Sequence, residues 1–292
     1  VNQGKKGLSK GLEVEVKNSM NALTRVISFT SGKGGVGKTN SVVNTALSLA
    51  EGGAKVLILD ADFGLANIDV LFNCSAEYHM GHVINGTRDL SEIVVEVSDG
   101  VSFIPASNGV ESLACLLPEQ RQFIFESLQT VACNYDYLLI DTPAGIGPDV
   151  LFFNSASHEV ICIIHPEPTS LTDAYAMIKV LSHTYGHRLI RVLVNCVESE
   201  REALKAYDRL ASAVEEHLFV RPEFLGFIPQ DQALKSSAQR RSPLVKEFPS
   251  SPAASAYKSL AKKIERELFD YQLSGALQFF FQNLVQVNDY GR

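Results

Sequence analysis

Apolar residues in this chain come in short, nearly unbroken runs, separated by longer stretches in which they recur every three or four positions. The runs "RVISFT" (25–30), "KVLILD" (55–60), "VSFIPA" (101–106), "DYLLID" (136–141), "EVICIIH" (159–165), "RVLVNC" (191–196) and "FLGFIP" (224–229) predict strands buried on both faces. A strand with one wet face would alternate instead. Between them, residues 40–51, 119–132, 170–185 and 200–217 have helical length and spacing. Alternating strands and helices build a parallel sheet through right-handed crossovers. The predicted fold class is therefore α/β, a mostly parallel twisted sheet with helices on both faces.

The two ends break this rhythm. Residues 1–24 carry Gly, Lys, Ser and Asn with little apolar periodicity, which predicts a flexible arm. The main domain is expected to span residues 25–271. After the Pro/Ser-rich "EFPSSPAASAY", a helical pattern runs over 252–271, and a tail follows over 272–292. Within the tail, Leu273, Ala276, Leu277, Phe280, Phe281, Leu284 and Val285 recur at the spacing of one helical face, so 273–288 reads as an amphipathic helix.

Composition narrows the class. With 292 residues and 46% hydrophobic content the chain can bury one large α/β core. Its net charge of −7 and pI near 5.5 speak against a surface that coats nucleic acid, and no direct nucleic-acid contact is expected. No signal-like or membrane-spanning apolar run is present, which predicts a cytoplasmic protein. The five cysteines, Cys74, Cys115, Cys133, Cys162 and Cys196, are scattered without a C-x-x-C pair. They suggest neither a disulfide framework nor a zinc site, and are expected to be buried free thiols.

The chemistry concentrates after the first strand. Gly32-Lys33-Gly34-Gly35-Val36-Gly37-Lys38-Thr39 fits G-x-x-x-x-G-K-[ST] between a strand pattern and a helix pattern, the context that a phosphate-binding loop requires. Glycines let backbone N–H groups converge on phosphate oxygens, and the helix start adds its positive dipole end. Lys38 can reach the β- and γ-phosphates, and the Thr39 hydroxyl can ligate Mg²⁺. A metal there needs carboxylates at neighbouring strand ends. Asp60 and Asp62 end the run "KVLILDAD", and Asp141 ends "DYLLID" before a glycine-containing loop. Singly, each could be a helix cap or turn former; beside the glycine-rich loop they form a candidate metal set.

The strings "SGKGGVGKT", "LILDADFGLANID" and "LLIDTPAG" together resemble the deviant-Walker-A ATPases of the MinD/ParA group, and the resemblance covers nearly the whole chain from Arg25. It implies a P-loop NTPase fold of the MinD type, hydrolysis of ATP to ADP and phosphate, and ATP/ADP with Mg²⁺ as cofactors. It also accounts for the second lysine in the loop. Lys33 matches the residue that reaches across an ATP-dependent dimer interface to the partner's nucleotide, acting like an arginine finger. By the same resemblance Asp62 orients or activates the attacking water, Asp60 supports the Mg²⁺ shell and Asp141 holds a Mg²⁺-bound water. Asn40 follows the loop as a nucleotide contact, and Asn195, Pro229 and Asp231 match the adenine contacts.

Within the group, "LDADFGLANIDVLF", "KTN", "EPTSLTDAYAMIKVL" (167–181) and the closing "LQFFFQNLVQ" are most similar to the flagellar-number regulators (FlhG/FleN). That likeness implies a homodimerising switch that acts on a flagellar enhancer-binding transcriptional activator, a signal-recognition-type GTPase, or both. It also implies reversible attachment to the inner face of the membrane through Leu273–Asn288, at the cell pole in some members. Many such regulators carry a D-Q-A-x-x-L-R motif in the N-terminal arm; here "NSMNALT" (18–24) keeps only the leucine, which favours the transcriptional branch. Competing readings are a division-site MinD-type or a partition-type positioning ATPase. A nitrogenase-reductase-like protein would need a cysteine in "DTPAGIGPDVLFF", which has none.

Overall fold

A computed structural model of the chain describes residues 24–64, 67–106, 116–187, 189–218 and 220–266. The expected arm before Thr24 and the expected amphipathic helix at 273–288 lie outside the described residues. The strands are β1 (Arg25–Thr30), β2 (Val56–Asp60), β3 (Val95–Ser98), β4 (Val101–Ile104), β5 (Tyr137–Asp141), β6 (Glu159–Ile164), β7 (Leu189–Val197) and β8 (Arg221–Pro229). In chain order the helices are α1 (Lys38–Glu51), α2 (Ile68–Leu71), α3 (Met80–Ile84), α4 (Leu90–Ile93), α5 (Pro118–Ala132), α6 (Pro148–Ala156), α7 (Pro168–Tyr185), α8 (Glu200–His217), α9 (Gln232–Gln239), α10 (Leu244–Glu247) and α11 (Pro252–Arg266).

The eight strands make one sheet in the order β3-β4-β2-β5-β1-β6-β7-β8. Every neighbouring pair is parallel except β3 and β4. All seven expected strands are present. The eighth, β3, is a half-exposed antiparallel edge strand of four residues, too short and too polar to produce a buried run. Alternate residues of the central strands serve opposite layers, as the two-residue period of a strand requires. Ile27 and Phe29 pack with α1 and α11, whereas Val26, Leu57 and Leu59 pack with α5 and α6. A third cluster joins β6 and β7 to α7 and α8.

Helix α6 follows the glycine-containing loop after β5, in a stretch for which the sequence predicted no element. Pro148 sits in its first turn, where a missing N–H costs nothing, and its sequence "PDVLFFNSA" is apolar nearly all round and so shows no one-sided stripe. At the opposite end of the central strands from the glycine-rich loop, Glu159 is buried between two arginines. Arg25 Nε donates to one carboxylate oxygen, and Arg191 Nη1 lies 2.8 Å from the other. Arg25 also donates to the Ile264 carbonyl at 2.5 Å, tying the first strand to the last turn of α11. Thr24, placed by the sequence at the end of the arm, is buried, and its hydroxyl donates to the carbonyls of Ala132 and Tyr135.

The described cysteines are free thiols, but the expectation that they are buried holds for Cys162 alone. Cys74 is half-buried, while Cys133 and Cys196 are exposed. Cys133 follows the end of α5, and Cys196 sits inside the end of β7 at a register shift, with a left-handed φ of 61°. Among the described residues no helix is long and apolar enough to cross a membrane.

Candidate nucleotide site

The carboxyl ends of β2, β5 and β1 lie side by side in the middle of the sheet. There the chain leaves β1 in one direction for β2 and returns on its other side at β6, a switch point of the kind that opens a ligand crevice in α/β sheets. The glycine-rich turn follows β1 directly. Gly37 has a left-handed φ of 85°, and a methyl added to it would lie 2.3 Å from Asn195 Nδ2. Gly32 is closed in by backbone, since a methyl there would come within 2.4 Å of the Asp173 carbonyl carbon on α7. The turn is braced from several sides. Asn195 Nδ2 donates to the Val36 carbonyl at 2.7 Å, Ser31 Oγ donates to the Lys33 carbonyl at 2.8 Å, and Gly145 N donates to the Ser31 carbonyl at 2.9 Å.

Asp141 ends β5 and is almost wholly buried; its Oδ1 has no hydrogen-bond partner. Burial pushes its pKa up to about 6, against the pull of the Lys38 ammonium and the Thr39 hydroxyl that donates to it, with Asp62 pushing further up. Asp60 is its register partner on β2, and burial together with the Asp141 charge raises its pKa well above the usual carboxylate range. Asp60 is already engaged, because Oδ1 accepts from Asp62 N at 3.1 Å and Oδ2 from Asn67 N and Ile68 N at 3.1 and 3.3 Å. Its carboxylate therefore shapes the loop that carries Asp62.

These residues fit a magnesium–nucleotide pair. A buried carboxylate oxygen without a partner, destabilised by neighbouring negative charge and aligned with a helix-start hydroxyl, is relieved by a cation or its water. Among the described residues no three His, Cys, Asp or Glu side chains converge tightly enough to hold a metal alone.

Lys33 and Lys38, five residues apart, have different surroundings. Lys38 acts electrostatically on Asp141. Lys33 is exposed, and its ammonium lies 2.7 Å from Glu167 Oε2 and 3.4 Å from Thr169 Oγ1 at the start of α7.

Beside the turn, at the ends of β6, β7 and β8, lies a cleft of about 340 Å³. Asn40, Asn195, Pro229 and Asp231, all named from the sequence, line it together with Gly35, Val36 and Gly37. The Asp231 carboxylate faces α9 and α11, accepting from Ala233 N at 2.8 Å and Ala253 N at 3.0 Å. His165, Cys196, Lys235 and Tyr257 also line the cleft and were not singled out from the sequence. His165 and Cys196 end predicted strands, which is a weak signal. Tyr257 arrives from a helix more than two hundred residues after the turn, with nothing local to mark it.

The comparisons with known proteins agree with this geometry. A family model described as an AAA domain matches residues 24–190. The antiactivator FleN of Pseudomonas aeruginosa is 38% identical over 262 residues, covering 90% of this chain and 94% of that one. The chain belongs to the MinD/ParA-type P-loop ATPases, on the FleN side of that family. The flagellum site-determining protein YlxH of Helicobacter pylori is 33% identical, covering 90% of each chain. Among solved structures, the septum site-determining protein MinD of Pyrococcus horikoshii, complexed with Mg-ADP, aligns with a TM-score of 0.71 at 26% identity over 84% of this chain and 97% of that one. MinD in the MinC:MinD cell division complex of Aquifex aeolicus aligns with a TM-score of 0.70 at 27% identity over 87% and 100%. As a member of this family the chain is an ATPase, and its eight-stranded, mostly parallel sheet is the MinD-type fold.

Proposed function

We propose that the chain is an ATP-driven dimerising switch that regulates flagellar number or placement. The observation that carries this reading is the division of labour between the two lysines. Lys38 stays beside Asp141, while the Lys33 ammonium is held at the surface by Glu167, available to a second copy. In the proposed mechanism the backbone N–H groups of the glycine-rich turn and Lys38 bind the triphosphate, Thr39 and Asp141 hold the metal and its water, and Asp62 orients the attacking water. Bound Mg²⁺ would neutralise charge on the β- and γ-phosphates. Lys33 of a second copy supplies positive charge where negative charge grows in the transition state. The cleft between Asn195 and Pro229 accepts the base.

Relatedness to an antiactivator and to a flagellum site-determining protein supports regulation through a flagellar transcriptional activator, with a signal-recognition-type GTPase as the other candidate partner. The amphipathic pattern at 273–288 supports reversible membrane attachment in the dimer, where two weak anchors bind with avidity. Liposome co-sedimentation of the full chain and of a chain ending at Tyr271 checks that part. Only the full chain with a non-hydrolysable ATP analogue is expected to pellet with lipid.

The test of the switch itself is a mixing experiment. Lys33→Ala and Asp62→Ala subunits, each nearly inactive alone, are expected to recover turnover when mixed. In the mixed dimer the Lys33→Ala subunit keeps its own Asp62 and receives Lys33 from its partner. No recovery, although size-exclusion chromatography shows the mixed dimer, would refute a lysine acting in trans.

A further inference from the structure

The carbonyl oxygen of Gly37 points into α1. It accepts the Ser41 backbone N–H at 3.0 Å, as the first turn of a helix requires, and the Ser41 hydroxyl at 2.9 Å. Across a trans peptide the N–H points opposite to the C=O. Holding the Gly37 oxygen toward the body of α1 therefore turns the Lys38 N–H outward, to where a helix start meets phosphate. Gly37 caps α1 without a side-chain bond, so the orientation of this peptide depends on what holds its oxygen.

The Ser41 hydroxyl is held in turn. Its oxygen lies 3.3 Å from Tyr257 Oη on α11, and both side chains are wholly buried. A hydroxyl carries one hydrogen. That of Ser41 goes to Gly37, so the Tyr257 phenol is the donor, and a chain of two hydrogen bonds runs from Tyr257 through Ser41 to the Gly37 carbonyl. Burial pushes the Tyr257 pKa up to about 12, which keeps the phenol protonated at neutral pH. Donation into Ser41 Oγ polarises its O–H bond and strengthens the second link. The first turn of α11 is seated at the same site, since Ala253 N donates at 3.0 Å to Asp231 Oδ2 beside the cleft.

We propose that Tyr257 is a positioning residue for nucleotide binding: through Ser41 it holds the Gly37 carbonyl and so aims the Lys38 backbone N–H at the phosphates. It does so from 216 positions beyond Ser41 in sequence. The inference concerns the hold of one subunit on its own nucleotide and is independent of how Lys33 acts. Tyr257 also packs in the core layer that joins β1, α1 and α11, and packing alone would be served by a ring without a hydroxyl. Phenylalanine keeps that ring, so the substitution separates the hydrogen bond from the packing.

The experiment compares wild type, Tyr257→Phe, Ser41→Ala and the double variant as full chains. It measures affinity for a fluorescent ATP analogue with Mg²⁺, KM and kcat for ATP, and melting temperature without nucleotide. Tyr257→Phe is expected to bind the analogue about 3- to 10-fold more weakly, with KM rising by the same factor and kcat within about twofold. Ser41→Ala is expected to bind at least as weakly. Because the phenol acts through Ser41, the double variant should bind no more weakly than Ser41→Ala alone. Wild-type affinity in Tyr257→Phe, with or without a lower melting temperature, would mean that the residue only packs, and would overturn the proposal. A double variant whose loss equals the two single losses multiplied would overturn it as well. Wild-type affinity in Ser41→Ala would do so even where Tyr257→Phe fails to fold.

Discussion

Asp60 and Asp141 are register partners on adjacent strands, with both carboxylates buried at the mouth of the phosphate site. The two differ in what satisfies them. Asp60 accepts three backbone donors and so organises the loop behind it, whereas Asp141 retains an oxygen without a partner. The fold thus carries a buried negative charge that its own residues only partly compensate, and binding a cation is the step that relieves it.

This relationship sets a pH dependence. The folded pKa of Asp141, about 6, lies above its ordinary 3.8, so its contribution to stability is fully present below 3.8 and is lost as pH rises through about 6. Asp141→Asn is expected to raise the melting temperature of the nucleotide-free protein at pH 7.5 by roughly 3–8 °C, with little gain at pH 4. Mg²⁺-dependent ATP turnover should fall at least about 100-fold in the same variant. Thermal scans at the two pH values, paired with a phosphate-release assay, check both halves; equal gains at both pH values would contradict the assignment.

Lys38 and Asp62 should fail in different ways. Lys38→Ala is expected to weaken ATP binding by about 100-fold or more, since a charge-assisted contact to phosphate is lost in both ground and transition states. Asp62→Ala is expected to bind ATP and dimerise within about threefold of wild type while turnover drops roughly 100- to 10,000-fold. Equilibrium titration with a fluorescent ATP analogue and single-turnover kinetics separate the two. Normal hydrolysis by Asp62→Ala would remove its water-orienting role.

Gly37 and Asn195 are coupled by contact. A methyl at Gly37 would overlap the Asn195 amide nitrogen and occupy a left-handed backbone, so Gly37→Ala displaces the brace on Val36 and strains the turn. Nucleotide affinity should fall at least about tenfold. Asn195→Ala removes the overlap but leaves the backbone strain, so the double variant should bind more tightly than the two separate losses multiplied together. Simple multiplication in a double-mutant cycle would mean that the two positions are independent.

The buried Arg25–Glu159–Arg191 group should be fragile at its centre. Glu159→Gln leaves two buried guanidinium groups without their shared counter-charge and is expected to cost about 3–5 kcal/mol in urea unfolding. Because the group lies at the amino-terminal end of the central strands, opposite the phosphate site, ATP affinity of the folded fraction should stay within about twofold. A loss of affinity without a loss of stability would contradict this division.

Much of this protein is written in local order. Strands buried on both faces have to be nearly all apolar, so their positions show as runs, and the glycine-rich turn shows because phosphate binding demands glycines, lysine and a hydroxyl within eight consecutive residues. Asp60, Asp62 and Asp141 were legible for the same reason, being strand ends beside a recognisable loop. What the sequence could not supply was anything created by juxtaposition. The edge strand β3 alternates valine with polar residues over only four positions and the helix α6 is apolar nearly all round, so neither stands out in the sequence, and the burial of individual cysteines depends on the layers laid over them. The Asp60 and Asp141 side chains look equivalent as letters, yet the fold fills one with backbone donors and leaves the other with an orphan oxygen. Likewise, the spacing of Lys33 and Lys38 marks two cations in one turn, but only the packing of the α7 start and the pairing of β5 with β1 bring Glu167 to one of them and Asp141 to the other. Side-chain identity along the chain determined which chemistry was possible; electrostatic environment, set by residues more than a hundred positions apart, decided where each charge rests.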